Sequence, residues 1–418
     1  MSVATLVRRP GYRDLLIGQA VSGLGDWMGT VAFMALTLQV TGSPAAVGGI
    51  LALRLLPAAL GGPLAAKAAL RWDRRRTMLT MDAVRAAMIA LVPFVRALWW
   101  IYIWAFLIEV ASLVFLPARD ASIPDVVDGD ELPLANGLIL GSSYGSIPIG
   151  AAAFAAVAAL PGADMGGRPF ALVFFLDAVT FLVSFAFIAH AVDLAGPGVT
   201  PVQDEEEVGF RRAFRIPLVR AIMPAAAAVA LGLGALFSLG IVFVREVLGA
   251  SDAEFGWLIA LFGAGAVLGV ALLQRVHGGD ALWQTRSGVV CIGVIVAVFS
   301  LAPTLWVAFL GAVGFGAAAA YTLAAGMGAL QSRLDGSDRV LAFAAFHVII
   351  RSGLALAAVG AGIAGDFLGS VDWPVVGRLE PSRVVLLCSG LLVILSAVAV
   401  RERWRAVAGP DAPGASTP

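Results

Sequence analysis

Long apolar stretches alternate with short polar segments along the whole chain, and each stretch is long enough to be a membrane span. A helix needs about 20 mostly apolar residues to cross the hydrocarbon core of a bilayer. The pattern predicts twelve spans, at about residues 14–40, 45–66, 78–96, 99–118, 132–160, 170–191, 217–244, 254–273, 284–302, 305–329, 338–365 and 384–401. Residues 225–234 do not alternate apolar with polar positions, which excludes a transmembrane β-barrel. We therefore predict an all-α polytopic membrane protein.

An internal repeat divides the spans into two pseudo-symmetric halves. Residues 45–53 match residues 253–261 at a constant offset of 208 positions. The same register relates Ser43 to Ser251, Gly48 to Gly256 and Gly61 to Gly269. Because the offset relates span two to span eight, we predict parallel six-helix repeats. Such repeats place a substrate site near the bilayer midplane and work by alternating access.

The polar segments set the predicted domain boundaries. We predict an N-terminal six-helix bundle at residues 1–194 and a C-terminal six-helix bundle at residues 217–402. Between them, residues 195–216 are predicted to form a cytoplasmic linker with an interfacial helix, since an acidic run is followed there by mixed Phe and Arg. Residues 403–418 are predicted to be a disordered cytoplasmic tail.

Composition and charge fix the expected location. The chain is 60% hydrophobic with a mean hydropathy of +0.92, and 28 basic residues balance 28 acidic ones, so nothing indicates a nucleic-acid partner. If the N-terminus is cytoplasmic, about 20 Lys and Arg residues lie in inside segments and about 5 in outside segments. Arg and Ala are abundant, as in GC-rich bacterial genomes. We predict the bacterial inner (cytoplasmic) membrane, with both termini cytoplasmic.

Several kinds of chemistry lack the residues they need. Cys291 and Cys388 lie in apolar runs without metal-ligand spacing, and we expect both to be buried as small hydrophobic residues. No glycine-rich run ends in the Gly-Lys-Ser/Thr of a phosphate-binding loop. With only three histidines, no catalytic cluster is formed. We expect no cofactor, no metal and no enzymatic activity.

Motifs in both halves resemble one family. They are RDLLIGQAVSGLGDW at 13–27, DAVRA at 82–86, PAR, IPD and LAN within 117–136, DAVTF at 177–181, and FG at 255–256 followed by Gly265 and Gly269. With these motifs the chain resembles the major facilitator superfamily, and within it the bacterial efflux permeases that include macrolide and enterobactin exporters. The resemblance implies two six-helix bundles and secondary active transport.

The loop between spans two and three departs from the family signature Gly-x-x-x-Asp-Arg-x-x-Arg-Arg. Ala66 stands at the Gly position and Leu70 at the Asp position. The remaining gating-loop residues are Arg71, Asp73, Arg74, Arg75 and Arg76. The Gly-Pro pair expected in span five of antiporters is also changed, since Gly150 is followed by Ala151.

Charged residues inside predicted spans are the functional candidates, because each costs several kcal/mol at the bilayer centre. Asp26 and Glu109 lie near the middle of spans one and four, which line the central cavity of the family fold. Both are candidates for proton coupling, although Asp26 could instead only bond to neighbouring backbone. Arg54 could pair with either carboxylate.

A second basic candidate lies in the other half. Arg351 in span eleven could bind an anionic substrate or form a contact across the halves, or it could be a static or snorkelling residue. His347 precedes it by four residues on the same helical face and is a candidate switch or a packing residue. Asp82, Arg85 and Asp177 are expected to be structural, because spans three and six stand away from the family's cavity.

Aromatic residues in the spans predict an apolar cavity wall. The candidates are Trp27, Phe33, Trp104, Phe237, Trp306 and Tyr321. The leading hypothesis is a monomeric exporter of a small hydrophobic or amphiphilic molecule, driven by proton antiport. The alternative is a transport-inactive scaffold or passive conduit associated with a membrane partner. The altered loop and span five are its support.

Overall fold

A computed structural model describes residues 3–60, 72–128, 131–191, 214–275, 281–334, 336–368, 370–373 and 377–399. The described residues form twelve long helices, which we number α1 to α12 in chain order. The helices of the first half are α1 (Pro10–Thr41), α2 (Pro44–Leu60), α3 (Arg74–Leu91), α4 (Leu98–Val126), α5 (Leu132–Ala158) and α6 (Ala171–His190). Those of the second half are α7 (Pro217–Val242), α8 (Asp252–Arg275), α9 (Ala281–Ser300), α10 (Leu305–Arg333), α11 (Gly336–Phe367) and α12 (Pro381–Ala399).

Short elements complete this helical architecture. A five-residue helix, Val3–Val7, precedes α1, and a 3-10 turn, Val92–Phe94, follows α3. The last turn of α7 continues as a π-helix, Phe243–Val247. Two three-residue strands, β1 (Val371–Trp373) and β2 (Gly377–Leu379), pair antiparallel between α11 and α12, with Val371 opposite Leu379.

The helix boundaries follow from local chemistry. Proline at the first position of α1, Pro10, suits a helix start because its missing N–H needs no partner there. The helix ends at Gly42, whose left-handed backbone (φ 64°) lets its N–H donate to the Leu38 carbonyl at 2.7 Å. Asp73 caps α3 by accepting from the Arg76 N–H at 2.8 Å.

Each predicted span overlaps one of these helices, so the predicted all-α fold of twelve transmembrane helices is confirmed. Within the described residues, ten helices are long and apolar enough to cross a bilayer. The other two are α2 and α5. Within α2, the residues Pro44–Leu55 form a shorter apolar helical segment.

The chain forms two compact units that do not divide cleanly at the middle of the sequence. Unit 1 contains residues 1–42, 53–203 and 252–260, and unit 2 contains residues 43–52, 204–251 and 261–418. The first part of α2 therefore packs in unit 2, and the first part of α8 packs in unit 1. These two segments are the ones that the offset of 208 residues relates. The predicted linker lies mostly, and the predicted tail wholly, outside the described residues.

We call residues 43–52 and 252–260 the exchanged segments, because each belongs to the unit formed mainly by the other half of the chain. In each exchanged segment, a glycine lies against a neighbouring helix of the same unit. In unit 2, a Cβ at Gly48 would overlap the carbonyl of Ala358 in α11. In unit 1, a Cβ at Gly256 would lie 2.8 Å from side-chain atoms of Phe154 and Ala155 in α5. The helices can pack this closely only because glycine has no side chain at these two positions. The repeated glycine found in the sequence is thus a repeated packing feature.

The predicted burial of the two cysteines is wrong. Cys291 in α9 and Cys388 in α12 are free thiols and both are exposed. Their helices cross the membrane, and a thiol is apolar enough to face lipid. Apolar sequence around a residue in a membrane protein therefore does not imply burial within the protein.

Candidate functional site

Three of the predicted site residues lie together in unit 1. The Arg54 Nη2 atom lies 3.9 Å from Asp26 Oδ1 and 4.0 Å from Glu109 Oε2. The three side chains come from α2, α1 and α4, each near the middle of its helix. Their side chains are partly exposed, at 13% for Arg54, 29% for Asp26 and 23% for Glu109. We call these three residues the acidic triad.

The distances in the acidic triad are longer than those of a tight ion pair. A charge-assisted hydrogen bond between guanidinium and carboxylate spans about 2.7–2.9 Å. Arg54 is therefore held between two carboxylates without a close bond to either at these distances. Since arginine keeps its proton, one fixed positive charge faces two acids that can each bind a proton.

Aromatic packing supports Arg54 from within the unit. Its guanidinium carbon lies 5.8 Å from the centre of the Phe33 ring. Phe33 is fully buried and packs edge-on against Phe174 of α6, with ring centres 5.3 Å apart. Phe33 therefore offers no surface to a ligand in this conformation, in contrast to the lining role that the sequence suggested.

A second charged group lies buried in the same unit. Asp82 and Arg85 of α3 form an ion pair one turn apart, and Asp177 of α6 is buried as deeply. The Arg85 guanidinium is stacked between Phe115 and Phe181, with its carbon 4.4 Å from each ring centre. We call Asp82, Arg85 and Asp177 the buried charge cluster.

The described gating-loop residues bind to helix ends of unit 1. Arg74 forms an ion pair with Asp125 at 2.5 Å and donates to the Ala121 carbonyl at 2.6 Å, both in α4. Arg75 donates to the carbonyls of Ile188 and Ala189 in the last turn of α6, where unpaired carbonyls attract cations. Asp73 is the cap of α3, and Arg76 is exposed. Arg71, Ala66 and Leu70 lie outside the described residues.

The two candidates of α11, Arg351 and His347, belong to unit 2. Arg351 lies near the middle of α11 in unit 2, is exposed, and has no ion pair with any described carboxylate. His347 lies one turn earlier on the same helix, and its side chain is outside the described residues.

The other aromatic candidates occupy different depths. Trp27, Trp104, Phe237 and Tyr321 are partly exposed. The Trp104 Nε1 is buried and has no hydrogen-bond partner among the described residues. Trp306 lies in the first turn of α10 and is 76% exposed, so it stands at a helix end, away from the middle of the span.

A polar contact of α1, α4 and α5 was missed by sequence reasoning. The fourth span was predicted to end at about residue 118, but α4 continues to Val126 and buries Arg119. Its Nη1 donates to Gln19 Oε1 at 2.7 Å, and Gln19 Nε2 donates to Ser143 at 3.4 Å. Both Arg119 and Gln19 lie inside the matched motifs, which was the available signal. In the described residues, no three His, Cys, Asp or Glu side chains are grouped to hold a metal.

Comparison with known proteins agrees with this architecture. The family model described as Major Facilitator Superfamily matches residues 15–277. YfiS of Bacillus subtilis (strain 168), an uncharacterized MFS-type transporter, is 26% identical over 296 residues, which cover 68% of each chain.

Solved structures show the same fold at low sequence identity. A bacterial homologue of the human lysosomal transporter Spinster, inward-facing and unoccupied, superposes with a TM-score of 0.74 at 18% identity, covering 95% of this chain and 96% of that chain. The nucleoside transporter NupG superposes with a TM-score of 0.71 at 12% identity, covering 94% and 99%. The family model covers more than half of the chain, and the chain therefore belongs to the Major Facilitator Superfamily, as a multi-pass membrane transporter of that type.

Proposed function

We propose that the protein is a secondary active exporter of a small hydrophobic or amphiphilic molecule, driven by proton antiport through alternating access. The observation that carries this proposal is the acidic triad, in which one arginine lies within about 4 Å of two carboxylates at mid-helix. Charges at this depth are costly and mark ion or substrate pathways in membrane proteins.

Charge balance gives the triad its function. With both Asp26 and Glu109 ionised, the three side chains of the triad together carry a net charge of minus one. One proton on either carboxylate neutralises it. The side chains are partly exposed, so a proton can be exchanged with water when the site opens to one side of the membrane. Loss of that proton on the other side resets the carrier.

The substrate class follows from the wall around these charges. Trp27 and Trp104 lie on α1 and α4, the two helices that carry the carboxylates, and both are partly exposed. Aromatic walls with few polar groups suit amphiphiles better than sugars. Arg351, exposed and without an ion pair to a described residue, supports a substrate that also carries an acidic group.

The proposed orientation places both termini in the cytoplasm of a bacterial inner membrane. It rests on the excess of Lys and Arg in the inside segments. We propose that the protein acts as a monomer, because one chain supplies all of the candidate proton-binding and substrate-binding residues.

Reconstituted vesicles test the proposal. The purified protein is placed in liposomes that contain a pH-sensitive dye, and a macrolide, an amphiphilic cationic dye and a siderophore are each added under an imposed proton gradient. We expect at least one compound to move uphill with opposite proton movement. Asp26→Asn and Glu109→Gln should each abolish the gradient-driven movement. Asp128→Asn changes an exposed carboxylate outside the helices and serves as the matched control.

Three results would contradict the proposal. Normal uphill transport by both Asp26→Asn and Glu109→Gln would remove the triad as the proton carrier. Downhill movement that ignores the proton gradient would favour a passive conduit, and binding without movement would favour a transport-inactive scaffold.

A further inference from the structure

Asp177 is a deeply buried carboxylate without a direct cationic partner. Its side chain is 1% exposed, and it forms no ion pair with any described residue. Its Oδ1 lies 3.4 Å from the Thr180 hydroxyl, which is closer, at 2.7 Å, to the carbonyl of Asp177 itself. A buried carboxylate with so little compensation is strongly disfavoured in its charged form.

The Asp177 carboxylate lies directly against the backbone of α1. A Cβ at Gly25 or at Gly29 would overlap its oxygen atoms. These two glycines are one turn apart, and Asp26 lies between them in the sequence. The two glycines therefore bring Asp177 against the helical turn that carries Asp26 of the acidic triad.

The groups that face Asp177 cannot neutralise it. Asp26 of α1, Arg54 of α2 and Arg85 of α3 all act on it electrostatically. Arg54 already lies between Asp26 and Glu109, and Arg85 is bonded to Asp82. Asp26, Asp82 and Asp177 thus face only two guanidinium groups, those of Arg54 and Arg85. With these five groups ionised the set has a net charge of minus one, and a proton on one carboxyl group removes it because arginine keeps its own proton.

Unsatisfied polar atoms show that this interior is not arranged as a closed salt-bridge network. Asp82 Oδ2 and Arg85 Nε are buried and have no hydrogen-bond partner among the described residues.

We propose that Asp177 is a second proton-binding residue of the carrier, coupled to Asp26 through the glycine face of α1. The inference rests on the proposed proton coupling and deepens it. Asp177 holds a proton while Asp26 is ionised, because two adjacent carboxylates in a low-dielectric interior cannot both be charged. When Asp26 takes up its own proton, the repulsion disappears and Asp177 becomes free to ionise. The sequence had suggested only a structural role for this residue.

Infrared spectroscopy of the purified full-length protein tests this directly, because protonated and ionised carboxyl groups absorb at different frequencies. At neutral pH we expect a protonated-carboxyl band that is lost in Asp177→Asn. Asp14→Asn is the matched control, because Asp14 is equally buried but pairs with Arg13 at 3.0 Å. Loss of the band in the control, or its persistence in Asp177→Asn, would overturn the assignment.

A second measurement avoids dependence on the folding of Asp177→Asn. In Asp26→Asn the neighbouring negative charge is absent, so the same band should disappear at a lower pH than in the wild type. An unchanged midpoint would refute the coupling. Neither measurement requires transport, so failure of the vesicle assay with an intact Asp177 band would contradict the proposed function alone. Proton-driven transport without the band would contradict this inference alone.

Discussion

The interiors of the two units differ sharply in charge although each half of the chain supplies six long helices. In the described part of the chain, the buried charged side chains all belong to unit 1, and they are Asp14, Asp82, Arg85, Arg119, Glu131 and Asp177. The buried polar side chains of unit 2 are uncharged, and they are Ser238, Gln284, Thr285, Ser300, Thr322, Ser382 and Ser389. The repeated packing is therefore separable from the charges that one repeat carries.

Burying a hydroxyl group costs much less free energy than burying a charged group. Two buried hydroxyl groups of unit 2 donate within their own helix, Ser300 to the Ala297 carbonyl at 2.6 Å and Thr322 to the Ala318 carbonyl at 2.6 Å. Such bonds maintain packing at little cost. Buried charges cost desolvation energy, and inside a membrane they are often found at ion or substrate pathways. Unit 1 is thus the proposed ion-handling half.

The largest expected difference between the units is at their arginines. Arg85→Ala leaves Asp82 buried without its partner and removes the stacking on Phe115 and Phe181, so it should destabilise the protein by about 3–5 kcal/mol. Arg351→Ala in unit 2 removes an exposed side chain and should change stability by less than about 1 kcal/mol. Unfolding in detergent, followed by tryptophan fluorescence, measures both. Equal losses would end the comparison.

Glycine-to-alanine substitutions in the two units should differ in their effect on stability by the next largest amount. Gly29→Ala places a methyl group into the Asp177 carboxylate and should cost about 1–3 kcal/mol. Gly360→Ala in α11 of unit 2 meets no atom within 4 Å, so it should be neutral or stabilise by up to about 1 kcal/mol. Thermal unfolding of the two variants side by side decides the matter, and a destabilised Gly360→Ala would show that burial of the charge is not the cause.

The exchanged segment of unit 2 gives a smaller effect. Ser43 caps α2 by accepting from the Ala46 N–H at 3.1 Å, and it donates to Asp366 of α11 at 2.7 Å. Ser43→Ala should cost about 1 kcal/mol. Ser287→Ala removes only a bond to the Gln284 carbonyl within α9 and is the control, expected within about 0.5 kcal/mol. Chemical denaturation of both variants provides the measurement, and equal values would exclude the cap.

The smallest expected effect is a pH dependence at the surface of unit 1. Arg9 donates to Asp128 at 2.5 Å and holds the pKa of that carboxyl below its usual range. A lowered folded-state pKa means that the pair contributes above the unfolded pKa of about 3.9 and that the contribution is lost as the pH falls through the lower, folded-state pKa. The stability difference between wild type and Asp128→Asn should therefore shrink on acidification. A difference that does not change with pH would contradict the pair.

The twelve helices were predictable because lipid imposes a long apolar run on each span. The repeat was also visible, since Gly48 and Gly256 keep one register at an offset of 208 residues. The acidic triad was partly predictable, because Asp26, Arg54 and Glu109 are each conspicuous in an apolar span and Arg54 was expected to pair with either acid. Its arrangement between both acids was not, since contacts between α1, α2 and α4 leave no periodic signal.

The sequence by itself determined the membrane class, the number of helices and the pairing of the two halves, because hydrophobic length and register are local properties of a chain in lipid. Only the tertiary structure decided that the start of α2 and the start of α8 pack in opposite units, that Phe33 is enclosed, and that Asp177 lies on the glycines beside Asp26. Those facts depend on which helix faces meet, and small residues and charges acquire their energetic meaning only from the groups placed opposite them.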